Sequence, residues 1–161
     1  MISCAKESTV LKYSIFFFNK SDLFSLKYTG EQKMKILLVE DLAFSRTRMK
    51  VMLEENGYTD ILEAATAESA LDVFEAEKPD VVILDLILPD RKDLSVLIKM
   101  RAIHPEASVA ICSAMTQPTV IRQALEMGAC EYLVKPVDAE KLLKLIEDHK
   151  ERTQRSGAFR D

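Results

Sequence analysis

The sequence predicts an α/β fold, a doubly wound sheet of five parallel strands with helices on both faces. Three observations carry this. From Met34 onward, short apolar runs rich in β-branched residues alternate strictly with helix-periodic segments, the sequence form of parallel strands joined by crossover helices. The run Val81-Val82-Ile83-Leu84 is continuously apolar, as a strand covered on both faces must be. Finally, 161 residues of which 48% are hydrophobic suit one domain with a proper core.

Taken in order, the strands are expected at Lys35 to Glu40, Asp60 to Ala64, Asp80 to Asp85, Ala107 to Ser113 and Glu131 to Val134. Apolar residues at i, i+3, i+4 and i+7 mark the helices between them. Ala67, Ala70, Leu71 and Phe74 form one face, Ile121, Ala124, Leu125 and Gly128 a second, and Ala139, Leu142, Leu143 and Ile146 a third. A further helix carries Leu94, Leu97 and Ile98. The punctuation agrees: Thr66 and Asp138 suit N-caps, Pro118 suits a first helical turn, and Gly57 and Gly128 suit C-terminal stops.

Residues 1–33 stand outside this alternation. They are read as a disordered extension or a start codon assigned too far upstream, and the domain as 34–150, followed by a short polar tail, 151–161. The apolar stretch Tyr13 to Phe18 is far short of the roughly 20 residues that span a bilayer, and it lacks the marks of a signal peptide. A membrane partner is therefore not expected, and a net charge of −4 gives no reason to expect nucleic acid. Cys4, Cys112 and Cys130 form no metal spacing and cannot all pair, which suits a reduced, cytoplasmic chain.

The residues that end the strands are the informative ones. The first strand ends in Glu40-Asp41, the third in Asp85, the fourth in Ser113 and the fifth in Lys135. In an open parallel sheet these positions share one edge, and ligands bind outside that edge. The second strand ends blandly at Ala64-Ala65, so it belongs at the rim. Three carboxylates at neighbouring strand ends repel one another, and a hard divalent cation resolves the conflict. Oxygen-only ligands point to Mg²⁺. Asp41 also suits a helix N-cap, but Asp85 does not, since Leu86-Ile87-Leu88-Pro89 follows it. With the cation bound, Asp85 is a candidate nucleophile toward phosphorus, and Lys135 a mobile charge for phosphoryl oxygens.

These motifs resemble the receiver domain of two-component response regulators, most of all the stand-alone chemotaxis (CheY-like) type. The matching residues are Glu40-Asp41, Asp85 with Pro89 four residues on, Ser113-Ala114, Lys135-Pro136, and Tyr132 at the aromatic switch position. The resemblance implies a flavodoxin-like strand order 2-1-3-4-5. It implies phosphoryl transfer to Asp85 from a sensor histidine kinase or phosphotransfer protein. Asp41, Asp85 and the backbone carbonyl of Ile87 would bind Mg²⁺ directly, with Glu40 contributing through water. Ser113 and Lys135 would contact the phosphoryl group, and the Lys135-Pro136 bond would be cis. Phosphorylation would draw Ser113 inward and let Tyr132 rotate, remodelling the face of the fourth helix, fifth strand and fifth helix for a downstream target protein. The chain is then a phosphoacceptor with intrinsic dephosphorylation rather than a turnover enzyme.

Two departures stand out. The acidic pair is Glu-Asp where Asp-Asp is commoner, and Asp93 occupies a position usually held by glycine. Asp93 is instead expected to cap the following helix. Of the rival readings, a pseudo-receiver that binds partners without phosphorylation would be favoured by loss of the phosphoacceptor or the lysine, and neither is lost. A haloacid-dehalogenase-type phosphatase needs a second Asp where Ile87 stands. A flavodoxin-like cofactor site needs a hydroxyl-rich loop where Glu40-Asp41 stands.

Overall fold

The computed structural model describes residues 34–157. The expected extension before Met34 lies outside the described residues. Five strands alternate with five helices: β1 (Ile36–Val39), α1 (Ala43–Glu54), β2 (Ile61–Ala64), α2 (Ala67–Glu77), β3 (Val81–Leu84), α3 (Ser95–Ile103), β4 (Ser108–Ser113), α4 (Pro118–Glu126), β5 (Glu131–Val134) and α5 (Ala139–Gly157). All four pairings are parallel and the order is β2-β1-β3-β4-β5, with β2 at the rim as its bland ending predicts.

Alternate residues of each strand serve opposite faces, which divides the core in two. Leu37, Val82, Leu84, Val109 and Ile111 pack under α2, α3 and α4, where Phe74 and Met100 are fully buried. Ile36, Leu38, Val81, Ile83 and Ala110 pack under α1 and α5, against Leu53, Leu142 and Ile146. Fully covering an aliphatic side chain stabilises by about 1.5–3 kcal/mol. The central strands β1 and β3, with all eight residues buried, therefore anchor the sheet.

The local signals act as expected at most ends. Thr66 caps α2 in a reciprocal arrangement with Ser69, Pro118 opens α4, and Asp138 accepts the Lys141 N–H at 2.9 Å. Gly57 and Gly128 take φ of 85° and 98°, a region that a side chain makes costly. Three details differ. Asp41 does not cap α1: Leu42 holds that position, and Glu40 Oε1 takes the Leu42 N–H at 3.2 Å. Leu125 and Ile98 lie at the margins of their apolar stripes and are nearly half exposed (45% and 49%). The last helix runs on to Gly157, past the expected domain boundary at residue 150. His149 is buried beyond the periodic residues and Thr153 Oγ1 bonds the His149 carbonyl at 2.7 Å, so the first part of the polar tail is helical. Among the described residues, no helix is long and apolar enough to cross a membrane.

Candidate functional site

The register aligns the strand ends. Val39 lies opposite Leu84, so the chain leaves β1 and β3 side by side, and the Asp85 N–H bonds the Val39 carbonyl at 2.9 Å. On the other side Ser113 pairs with Val134, and the Lys135 N–H bonds the Ser113 carbonyl at 3.0 Å. Glu40, Asp85, Ser113 and Lys135 thus stand in a row along the carboxyl edge, and Asp41 follows Glu40 on the turn into α1.

Glu40 is fully buried, Asp85 nearly so, and Asp41 is exposed. One carboxylate oxygen from each lies within 4.8 Å of the other two. Lys135 Nζ lies 2.5 Å from both Glu40 Oε2 and Asp85 Oδ2, bridging the two buried acids. Burial pulls the Lys135 pKa down, but hydrogen bonds and charge from Asp85 and Glu40 outweigh it, and the net direction is up. Three carboxylates facing one ammonium leave the pocket anionic. An all-oxygen donor set of this spacing fits a hard divalent cation with some open positions.

The remaining expected residues take these places. The Ile87 N–H donates to Asp85 Oδ1 at 2.9 Å, so this loop turns back over the carboxylate while the Ile87 side chain faces outward (41% exposed). Ser113 is fully buried and its Oγ accepts the Met115 N–H at 3.3 Å. Tyr132 is buried and donates its hydroxyl to the Met115 carbonyl at 2.9 Å. Burial raises the Tyr132 phenol pKa, opposed by a hydrogen bond with Ser113. The Lys135-Pro136 bond is cis. Asp93 does not hold the N-cap of α3, which is Leu94, but its Oδ1 accepts the Ser95 N–H at 2.8 Å, and its backbone is not left-handed. Among the described non-glycine residues only Lys78 has positive φ.

Two neighbours escaped the sequence reading. Ser45 Oγ donates to Glu40 Oε2 at 3.0 Å, and Arg46 Nη1 donates to the Glu40 carbonyl at 2.6 Å. Arg46 is itself held by Glu63 of β2 at 3.0 Å. The available signal was Glu63, an acid inside an otherwise apolar strand.

Fold and site together define a doubly wound, flavodoxin-like α/β domain with an acidic pocket at the carboxyl edge of its sheet. A family model for the response regulator receiver domain matches residues 36–147. The chemotaxis protein CheY of Listeria monocytogenes is 33% identical over 114 residues, covering 71% of this chain and 96% of that one. Among solved structures, the signal receiver domain of a putative Luxo repressor protein from Vibrio parahaemolyticus superposes with a TM-score of 0.72 at 29% identity, covering 81% of this chain and 99% of that one. CheY in the CheX-CheY-BeF3-Mg complex from Borrelia burgdorferi gives a TM-score of 0.68 at 25% identity, covering 71% and 87%. The chain belongs to the response regulator receiver family. It is a CheY-like response regulator of two-component signalling.

Proposed function

We propose that this receiver accepts a phosphoryl group on Asp85 from the phosphohistidine of a sensor histidine kinase or phosphotransfer protein, with Mg²⁺ as its cofactor. The observation that carries the reading is the bridge from Lys135 Nζ to the two buried acids, which sets an ammonium against the Asp85 carboxylate. In the transfer, an Asp85 oxygen forms the new P–O bond as the P–N bond to imidazole breaks, and the leaving imidazole keeps the electron pair and takes up a proton. Held directly by Asp41, Asp85 and the Ile87 carbonyl, with Glu40 contributing through water, Mg²⁺ would neutralise charge on the phosphoryl oxygens. The Ile87 N–H orients the Asp85 carboxylate, Lys135 offsets charge on the phosphoryl oxygens, and Glu40 keeps Lys135 in place. The Mg-containing CheY complex among the structural relatives supports the choice of metal.

The phosphorylated state would be read through Met115, which is tied by its N–H to Ser113 and by its carbonyl to Tyr132. Drawing Ser113 toward a phosphoryl group loosens the first bond and disturbs the second, biasing Tyr132 and the α4-β5-α5 face toward a second conformer. A downstream protein that prefers that conformer is the proposed target, and the cytoplasm the proposed location. The chain then acts as a phosphoacceptor rather than a turnover enzyme.

The test mixes the protein with Mg²⁺ and a small phosphodonor and reads the intact mass. Wild type gains one phosphoryl group, and Asp85→Asn or chelation by EDTA prevents it. Equal labelling of Asp85→Asn overturns the assignment, and an unlabelled wild type favours a pseudo-receiver that only binds partners.

A further inference from the structure

The loop from β3 to α3 carries Ile87, and its own anchoring has a feature the phosphoryl chemistry does not require. Leu86 and Leu88 are buried, the Leu88 N–H closes a turn on the Arg91 carbonyl at 2.8 Å, and Asp93 fastens the far end to α3. Between these points Asp90 reaches across to another element. Its Oδ1 accepts the Ala67 N–H at 2.8 Å and its Oδ2 the Glu68 N–H at 3.0 Å, both in the first turn of α2.

Helix α2 already has a cap of its own. Thr66 Oγ1 accepts the Ser69 N–H at 3.1 Å, and the Ser69 side chain returns to the Thr66 N–H at 3.3 Å. Asp90 takes the two amides that this cap leaves over, at the helix end whose dipole favours a carboxylate. Those backbone bonds hold the Asp90 carboxyl below its ordinary pKa despite some opposing desolvation, so it is charged at neutral pH. A two-oxygen grip on adjacent amides fixes orientation as well as distance. The gripped residue lies three positions beyond Ile87, across Leu88, which is only 1% exposed, and Pro89. Orientation at Asp90 is therefore passed to the Ile87 peptide.

We propose that Asp90 is a positioning residue for the metal site: by gripping α2 it holds the Leu86–Asp90 strap, keeps the Ile87 backbone over Asp85, and so sets the affinity for Mg²⁺. This rests on the Mg²⁺ reading given above, and outer partners of metal ligands act on affinity in this way. Asp90 touches neither metal nor phosphoryl group.

The experiment is a calorimetric titration with Mg²⁺ of the full chain, as wild type, Asp90→Ala, Asp90→Asn and Thr66→Ala. Amide hydrogen exchange at Ile87 is followed without metal in parallel. Asp90→Ala is expected to weaken Mg²⁺ binding about tenfold and to speed exchange at Ile87. Asp90→Asn, which keeps one acceptor oxygen, falls between and serves if the alanine variant does not fold. Thr66→Ala removes the other cap of the same helix, so it lowers thermal stability but leaves affinity and Ile87 exchange as in wild type. Wild-type affinity and exchange in both Asp90 variants overturn the proposal. So does an equal loss in Thr66→Ala, which would reduce Asp90 to a helix cap. A wild type that binds no Mg²⁺ overturns the metal reading instead, and faster Ile87 exchange in Asp90→Ala then still supports the strap.

Discussion

The two edges of the sheet handle polar groups in opposite ways. At the amino edge each group meets one partner. The Lys35 N–H bonds Asp80 Oδ2 at 2.8 Å, Lys35 Nζ meets Glu77 at 2.9 Å, and Ser108 Oγ lies 2.6 Å from His149 Nδ1. At the carboxyl edge two buried carboxylates share one ammonium, and the exposed Asp41 adds a third carboxylate beside them. Burying charge that is not balanced costs stability, and the cost is tolerated where charge will be supplied later. The amino edge serves the fold, and the carboxyl edge, on the proposed reading, receives a cation and a phosphoryl group.

The largest effect expected from this contrast follows loss of Lys135. In metal-free protein Lys135→Ala leaves Glu40 and Asp85 buried without their cation, at a cost of about 3 kcal/mol. Thermal unfolding should show this, with partial recovery on adding Mg²⁺. Labelling by a small phosphodonor should fall about a hundredfold, because the phosphoryl charge loses its mobile partner. Wild-type labelling in this variant would remove Lys135 from the chemistry.

A smaller effect concerns the phosphorylated lifetime. On the proposed reading, Ile87 beside Asp85 and Met115 beside Ser113 would flank the path of water toward an acyl phosphate on Asp85, and neither side chain can orient a water. The double variant Ile87→Asn, Met115→Glu should lose phosphate about tenfold faster than wild type. Decay no faster than wild type would show that these side chains do not shield the bond.

The amino edge should answer to pH instead. Burial holds His149 below its ordinary pKa, with Arg152 acting in the same direction and Asp80 against it. The unfolded chain therefore takes up a proton near pH 6.5 while the folded chain still resists. Stability is complete above that pH and declines as pH falls toward the folded value, by at most about 1.4 kcal/mol per pH unit. The thermal midpoint should drop between pH 7.5 and 5.5, and His149→Gln should flatten the profile. The carboxyls held low by hydrogen bonds, Glu63, Asp90 and Asp138, lose their contribution only at more acid pH. Smallest of all, Glu77→Gln should give no resolvable change in thermal midpoint, since its pair with Lys35 is exposed.

The strand-end residues of the carboxyl edge were legible in the sequence, and the pairings between distant side chains at either edge were not. Glu40, Asp85, Ser113 and Lys135 each follow an apolar run, so knowing that the strands are parallel is enough to bring them together. Nothing comparable announces His149 and Ser108, 41 residues apart, or Asp90 and Ala67, 23 apart, because either partner reads alone as an ordinary surface residue. The helix periodicity gave the apolar stripes but not their margins, so Leu125 and Ile98 were drawn too far inward. Asp41 looked like a cap by composition, and the backbone placed Leu42 there instead.

The strand order also bears on how the chain is made. As it leaves the ribosome, β2 finds β1 already present, β3 then adds to the other side of β1, β4 to β3, and β5 to β4. Every new strand meets a finished neighbour, and none waits for a partner still to be synthesised. Parallel pairings are slow when distant segments must first find each other. This strand order allows the sheet to grow by accretion as the chain emerges at about 5–20 residues per second. The strand that leads into Lys135 is the last of the five to be made, so the acidic pocket gains its lysine only after the other four strands have been synthesised.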